Sequence, residues 1–476
     1  MKRFLPLVCL AAGLACAEPL PPPVAQALKA AQIPAASVAV VVQPVDSRFA
    51  LVSHNARQAM NPASVMKLVT TYAGLDLLGP AWTWKTAAYA EAEPVDGKLG
   101  GNLYLKGSGD PKFALEHFWV LLRQLRVRGI EHIVGDVVLD RSAFAVPAID
   151  PGAFDDKPMR PYNVGPDGLL VNFRALRFTL LAEGGKVRVL QETPSEGLAV
   201  DNRLQLSAGA CGSDWKDAVS VRLLPHNGGQ RLEFAGSFSA QCGEKSLNLS
   251  PLAAEAQVEG LFLALWKELG GSLGGRVRAG TVPANARPVA VQESPPLADV
   301  VRDINKFSNN VMARQLFLTL GNDGVPSTPE RARQRVIDWL AGRGLKFPEL
   351  VLENGSGLSR QERISAGSLN RLLLDAWKSP VMPELASSLP IVGIDGTMKK
   401  RLKESTASGR AHIKTGTLDG VKTAAGYALD SQGRRYAVTF LINHPKAQAG
   451  GPAIDALLLW VAQRQSGEGL PLLEGD

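Results

Sequence analysis

The chain has 476 residues, 45% of them hydrophobic and 20% charged, so it carries enough apolar material for a buried core and does not read as a disordered chain. Two or three domains are expected at this length. The formal net charge is +7, but no run of clustered Lys and Arg, no zinc-finger spacing and no RNA-binding signature occurs, which excludes nucleic acid as the expected partner and leaves a mildly basic, solvated surface.

Met1-Lys2-Arg3 is followed by an apolar stretch to Cys16, and Ala15-Cys16-Ala17 fits a small-x-small cleavage site. Residues 1–17 therefore read as a secretory signal peptide, which places the mature protein in the periplasm or outside the cell. No later stretch is long and uncharged enough to span a bilayer. Cys9 and Cys16 leave with the signal, and Cys211 and Cys242 remain; after export they can form one disulfide, the alternative being two buried free thiols. The six His residues are scattered and no His-Glu-x-x-His occurs, so neither a metal nor any other cofactor is expected.

After a Pro-rich lead-in, Val24 to Ala31 can form a helix, and strands are expected at Ser37 to Val42 and near Phe49 to Val52. Asn61-Pro62-Ala63-Ser64 opens an apolar helix, with Asn61 as its cap and Pro62 in the first turn. From residue 85 to 286 the texture becomes mostly β, with strand candidates at Asn102 to Leu105, Ile133 to Leu139, Arg177 to Leu181, Lys186 to Val189 and Ser220 to Leu224. A nested subdomain is expected near 170–245, holding both mature cysteines. Helices return at Leu297 to Phe307, Asn309 to Leu320, Pro329 to Gly342 and Ser368 to Trp377. Strands are expected at Ala411 to Thr415, Lys422 to Leu429 and Arg435 to Ile442, the last two joined by a hairpin at Asp430-Ser431-Gln432-Gly433, before a final helix from Pro452 to Gln463. The expected organisation is one α/β (α+β) domain of residues 18–84 plus 287–476, split by a β-rich insertion of residues 85–286.

Three short motifs stand in order: Ser64-Val65-Met66-Lys67, Ser308-Asn309-Asn310 and Lys414-Thr415-Gly416. Such a set is a signature of penicillin-binding proteins and class A β-lactamases. Ser-x-x-Lys alone is weak, and a second copy occurs at Ser213-Asp214-Trp215-Lys216. Context separates them. Ser64 lies at the start of an apolar helix, so Lys67 projects from the same face, and burial disfavours its charged form. A neutral amine there can take the Ser64 proton. Ser308 reads either as an ordinary helix N-cap or as a relay between Lys67 and a leaving amine, with Asn310 orienting a substrate amide. Lys414 offers a positive charge to a substrate carboxylate, Gly416 lets a substrate backbone come close, and Thr415 and Thr417 continue an edge strand that can add a peptide. The backbone amides of Ser64 and Thr417 can form an oxyanion hole.

These motifs come with longer stretches: Asn61 to Leu68, Leu103 to Pro111, Asn305 to Asn310, Gly355 to Arg360 and Asp395-Gly396-Thr397. Together they resemble the D-alanyl-D-alanine carboxypeptidase/endopeptidases of the type-4 penicillin-binding protein family, over essentially the whole mature chain. The resemblance implies a β-lactamase/transpeptidase-like domain with a large insertion between the first two motifs. It implies an acyl-enzyme at Ser64, covalent inhibition by β-lactam antibiotics, and cleavage of D-alanyl bonds in peptidoglycan stem peptides. In the family an Asp of the insertion reads the free amino group of the diamino acid. Asp155 and Asp156 stand at about that place, in a local sequence that departs from the family's Trp-rich pattern; a solvated acidic loop is the other reading. A serine β-lactamase or esterase, and a non-catalytic wall-binding penicillin sensor, are the alternatives.

Overall fold

The computed structural model describes residues 20–465; the expected signal peptide lies outside the described residues. A five-stranded antiparallel sheet forms the centre, in the order Ala411–Leu418, Val421–Leu429, Arg435–Asn443, Val38–Pro44, Val52–His54. An N-terminal strand thus pairs with one from the far end of the chain.

Side-chain alternation gives this sheet two apolar faces. Val38, Val40 and Val42 point to a core shared with the helices Pro22–Ala30 and Gly451–Gln463, through Val24, Leu28, Leu457 and Val461. Ala39 and Val41 point to the opposite core, with Leu68, Val69 and Tyr72 of the helix Lys67–Leu78 and residues of the helices Leu297–Phe307, Asn310–Leu320 and Ala366–Trp377. A strand covered on both faces reads as a continuous run of Val rather than an alternation. The second strand starts later than expected, at Val52, because Phe49 is solvent-exposed. The Asp430 hairpin is tied by its own carboxylate, which accepts from the amides of Gln432 and Arg434, both at 2.9 Å.

Residues between the first two motifs form four further sheets, the smallest of them Ser272–Leu273, His132–Ile133, Lys98–Leu99. A five-stranded sheet runs Val277–Ala279, Val137–Asp140, Leu103–Gly107, Lys85–Ala90, Arg287–Glu293. Two three-stranded sheets, one around Leu176–Glu183 and one around Gly229–Ser239, enclose Phe178, Phe234 and Phe238. A disulfide joins Cys211 to Cys242 at the edge of that core. This region is less purely β than its composition suggests. The helices Leu115–Val127 and Ala254–Glu268 pack on the five-stranded sheet through Phe118, Leu121, Leu122 and Leu125, and through Val258, Leu261, Phe262 and Leu265. Both sets follow the i, i+3, i+4, i+7 period of a helix, a signal hidden by the Gly-, Asp- and Pro-rich texture around it.

The core shared by the two chain ends makes a direct test. Leu457 is fully buried there. Leu457→Ala should cost about 2–5 kcal/mol, read as a lower midpoint in urea unfolding; an unchanged midpoint would mean the terminal helix is not part of the cooperative core.

Candidate active site

The segment before Ser64 does not start a helix as expected. Asn61 Oδ1 accepts from Ala63 N at 2.8 Å, residues Ala63–Met66 form one 3-10 turn, and the α-helix begins at Lys67. The turn is pinned from the central sheet. Asn443 exchanges two hydrogen bonds with the Asn61 backbone (2.7 and 3.0 Å), and Thr423 Oγ1 donates to Pro62 O at 2.8 Å. Ala63 adopts φ 46°, a left-handed conformation that costs a non-glycine residue free energy and is held by such contacts.

Lys67 is fully buried. Its Nζ lies 3.0 Å from Ser64 Oγ and 2.6 Å from Asn310 Oδ1, and it also contacts the Ser356 carbonyl oxygen. Two of these three partners can only accept. A neutral amine has two N–H groups and one lone pair. With both N–H groups on Asn310 and Ser356, the lone pair faces the Ser64 hydroxyl. Burial, then the nearby charges of Lys414 and Arg314, push the Lys67 pKa well below the ordinary lysine value, against a smaller opposing pull from Glu362.

Ser308 is not the N-cap of the following helix. It ends the helix Leu297–Phe307 in the left-handed region (φ 56°), and Asn309 caps the next helix by accepting from Met312 N at 3.1 Å. This strained corner presents Ser308 Oγ to Lys414, whose Nζ donates to it at 2.9 Å and to Thr415 O at 2.7 Å. No hydrogen bond joins Ser308 to Lys67; the contact of the Ser308 hydroxyl is with Lys414 instead. Lys414 is fully buried, which lowers its pKa to about 7. It keeps one N–H for a ligand. Asn310 Nδ2 likewise makes no hydrogen bond among the described residues, and is left for a substrate carbonyl.

The strand carrying Lys414, Thr415, Gly416 and Thr417 is an edge strand. Beyond the isolated bridge from His412 to Ile391, its outer side is unpaired. The absence of a side chain at Gly416 serves the fold before any ligand. A Cβ there would overlap Thr423 Oγ1 and come within 2.9 Å of Pro62 O and Ser64 N. Gly416 therefore allows the strand to approach the nucleophile turn. Thr415 Oγ1 is 2.8 Å from Thr397 Oγ1, and the turn holding Thr397 is fixed by the Lys306–Asp395 ion pair at 2.6 Å.

Asp155 and Asp156 differ sharply. Burial alone would raise the Asp155 carboxyl, but hydrogen bonds from Tyr162 OH (2.7 Å), Asn163 Nδ2 (2.7 Å) and Lys157 N (3.2 Å) hold it below the usual carboxylate range. Asp156 is exposed, which suits the solvated-loop reading for that residue alone. The neighbouring Phe154 packs near Ala63, Leu358 and Leu418, with the Arg360 guanidinium 4.7 Å from its ring centre, so this segment reaches the rim of the site. The second Ser-x-x-Lys copy does not form a site. Ser213 is exposed, and Lys216 stands over the Trp215 ring at 5.6 Å.

Reading the sequence missed the loop that closes the site from behind. The Gly355 to Arg360 stretch was visible without a role. Here Ser356 offers its carbonyl to Lys67, and Gly357 (φ +79°) lies against the Ala63 backbone, where a Cβ would overlap the carbonyl oxygen. Buried Glu362 accepts from the amides of Glu353, Asn354 and Gly355 at 3.0–3.2 Å and so shapes the turn.

Comparison with known proteins agrees with this arrangement. The profile of the D-Ala-D-Ala carboxypeptidase 3 (S13) family matches residues 22–464. The chain belongs to this family. It is 28% identical to the D-alanyl-D-alanine carboxypeptidase of Actinomadura sp. (strain R39) over 92% of this chain and 84% of that one. Its fold is similar to penicillin binding protein 4 of Haemophilus influenzae, with a TM-score of 0.75 at 23% identity, covering 91% of this chain and 99% of that one. The same Haemophilus protein complexed with a β-lactam gives a TM-score of 0.72, also at 23% identity and the same coverage.

The Gly357 contact is testable. Gly357→Ala must either strain a left-handed residue, at on the order of 1–3 kcal/mol, or push the Ser64 turn away. Acylation by penicillin should fall about a hundredfold, as for a nucleophile misplaced by an ångström; a rate equal to wild type would show that the loop does not position Ser64.

Proposed function

We propose that Ser64, Lys67, Ser308, Asn310 and Lys414 carry the serine D,D-peptidase activity of this family member, on D-alanyl peptide bonds of peptidoglycan stem peptides. The observation that carries the reading is the buried, acceptor-surrounded Lys67 amine beside Ser64 Oγ. Lys67 takes the Ser64 proton as Oγ attacks the carbonyl carbon. The backbone amides of Ser64 and Thr417 receive the developing oxyanion, worth about 3–4 kcal/mol per donor. The C–N bond then breaks as the leaving amine takes up the proton that Lys67 accepted, passed on by way of the Ser308 hydroxyl beside Lys414, which returns Lys67 to its neutral form. Water next attacks the Ser64 ester, with Lys67 again accepting the proton, and the shortened peptide leaves.

Lys414 and Thr415 bind the carboxylate beside the scissile bond, Gly416 and Thr417 offer the strand edge to the peptide, and Asn310 Nδ2 holds a substrate carbonyl. Asp155, ordered at the rim by Tyr162 and Asn163, reads the amino group of the diamino acid; Asp156 takes the secondary place in that loop. A β-lactam presents the same carboxylate and carbonyl, so it acylates Ser64 covalently, as the complex of the Haemophilus relative suggests. Residues 18–84 and 287–476 form the catalytic unit and 85–286 the insertion, a division supported by the central sheet drawing its strands only from Val38–His54 and Ala411–Asn443. The strand Arg287–Glu293 pairs with the insertion's Lys85–Ala90, which moves the boundary slightly past 287. Among the described residues no helix is long and apolar enough to cross a membrane. With its leader removed, the enzyme works in the periplasm or outside the cell.

The experiment is labelling of the mature protein with a fluorescent penicillin, beside Ser64→Ala. A band that survives denaturation in the wild type and is lost in the variant is expected. Rapid destruction of the penicillin without a band would mean a β-lactamase; an intact penicillin without a band would mean a binding protein or another nucleophile.

The two lysines also set a pH profile. kcat/KM reports the free enzyme. Because Lys67 must be neutral and its pKa is depressed, activity should persist to lower pH than an ordinary lysine base would allow. Lys414 must be charged to hold a carboxylate, and with its pKa near 7 acylation by carboxylate-bearing penicillins should decline above about pH 7. An ester substrate without the carboxylate should lack that alkaline limb. Flat profiles for both substrates from pH 6 to 9 would contradict the assignment.

A further inference from the structure

A cleft of about 720 Å³ begins at the second motif and extends into the insertion. Phe307, Ser308 and Asn310 form one bank; Arg160, Tyr162 and Lys216 stand on the other. Its size is that of a site for a ligand of several hundred daltons, several times what a single alanine fills.

The polar lining is biased toward cations. Arg160, Arg177 and Lys216 face Glu116 and Glu192. Arg177 and Glu192 satisfy each other at 2.9 Å. Arg160 makes no side-chain hydrogen bond or ion pair among the described residues, and the Lys216 ammonium has only the Trp215 ring beneath it. Phe307 is 67% exposed and Tyr162 37% exposed, so two aromatic surfaces meet solvent at this cleft.

Its position matters as much as its chemistry. In the mechanism above, Ser308 gives the proton to the leaving amine, so whatever that amine carries lies on the Ser308 side. When a terminal D-alanine leaves, it needs no such space. When a D-alanyl cross-link is cut, the leaving amine carries a second, acidic stem peptide. We propose that this cleft is the subsite for the leaving strand of a cross-linked peptide, with Arg160 and Lys216 pairing with its carboxylates and Phe307 and Tyr162 covering its aliphatic chain. The inference rests on the D,D-peptidase reading and adds which residues of this chain hold the second peptide. Tyr162 joins the two sides: its hydroxyl donates to Asp155, while its ring borders the cleft.

The test uses the full mature chain with two soluble substrates, a D-alanyl-cross-linked muropeptide dimer and an uncross-linked pentapeptide monomer, with penicillin acylation measured alongside. In Arg160→Ala and Lys216→Ala, kcat/KM on the dimer should fall about tenfold or more, as for a lost charge-assisted contact. Monomer cleavage and acylation should stay within about twofold, and Arg160→Lys should recover part of the dimer activity. Equal losses on both substrates, or none on either, would overturn the subsite. So would a wild type that trims the monomer and leaves the dimer intact. A wild type that cleaves neither substrate and is not acylated would instead sink the D,D-peptidase reading, and the subsite with it.

Discussion

The site depends on an amine kept out of water. Burying a charged ammonium is costly, so a lysine at this depth is stable only when neutral or fully paired. The partners of Lys67 are two obligate acceptors and one hydroxyl, with no carboxylate in contact. Those three acceptors can satisfy either protonation state, so it is burial and the nearby charges of Lys414 and Arg314 that favour the neutral amine. Each partner arrives from a different stretch of chain, so the loop after residue 353, the helix starting at Asn310 and the turn at Ala63 must all be placed correctly for the amine to be satisfied. Much of the surrounding structure answers that demand: Glu362 folds the loop around its carboxylate, and Thr70 Oγ1 ties Gly355 O to the nucleophile helix at 2.6 Å.

The insertion is docked on the same machinery. Gln315, one turn along the helix from Asn310, exchanges two 2.8 Å hydrogen bonds with the Asp167 backbone, and Arg314 donates to Val164 O at 2.8 Å. Asp167 is in turn gripped by Arg141 at 2.5 and 2.8 Å. The loop carrying Phe154, Asp155 and Tyr162 therefore sits on the helix that supplies Asn310. Arg314 has a second effect. Burial lowers its pKa only to about 10, so it remains charged at neutral pH and its field helps keep Lys67 unprotonated.

What could be read from the sequence was local and periodic. The Val38–Pro44 run, the helix Leu297–Phe307 and the Asp430 hairpin each announce themselves within a dozen residues, because burial period and turn chemistry are short-range. The three motifs could be assigned chemistry because Ser, Lys and Asn at those spacings have few other reasons to be on apolar helices or strand edges. What stayed hidden was tertiary. Ser356 contributes a backbone oxygen, which any residue could supply, so its identity carried no signal. Gly357 stood in a stretch without a role and Gly416 was read as making room for a substrate backbone; both are close-packing positions within the fold, a distinction that depends on Ala63 and Thr423, far away in the chain. Ser308 looked like an N-cap because Ser is a good one; Asn309 took that place, and the left-handed turn freed Ser308 to face Lys414. The two insertion helices were lost in a β-like texture although their apolar period was intact.

The two lysines also explain each other. The charge on Lys414 adds to burial in lowering the Lys67 pKa, so the state of one amine bears on the other. In the free site that cation suppresses protonation of Lys67 and keeps its lone pair available, but an amine with a very low pKa is a weak base. A carboxylate held at Lys414, as proposed above, would offset the larger of the two charges that lower the Lys67 pKa. The Lys67 pKa would then rise, and its strength as a base with it. A substrate carrying the carboxylate thus strengthens the base that attacks it, whereas water entering the empty site does not. In the function proposed above, selectivity for a carboxylate-terminated peptide and strength of the nucleophile would follow from one electrostatic arrangement, set by two buried amines and the hydroxyls they contact.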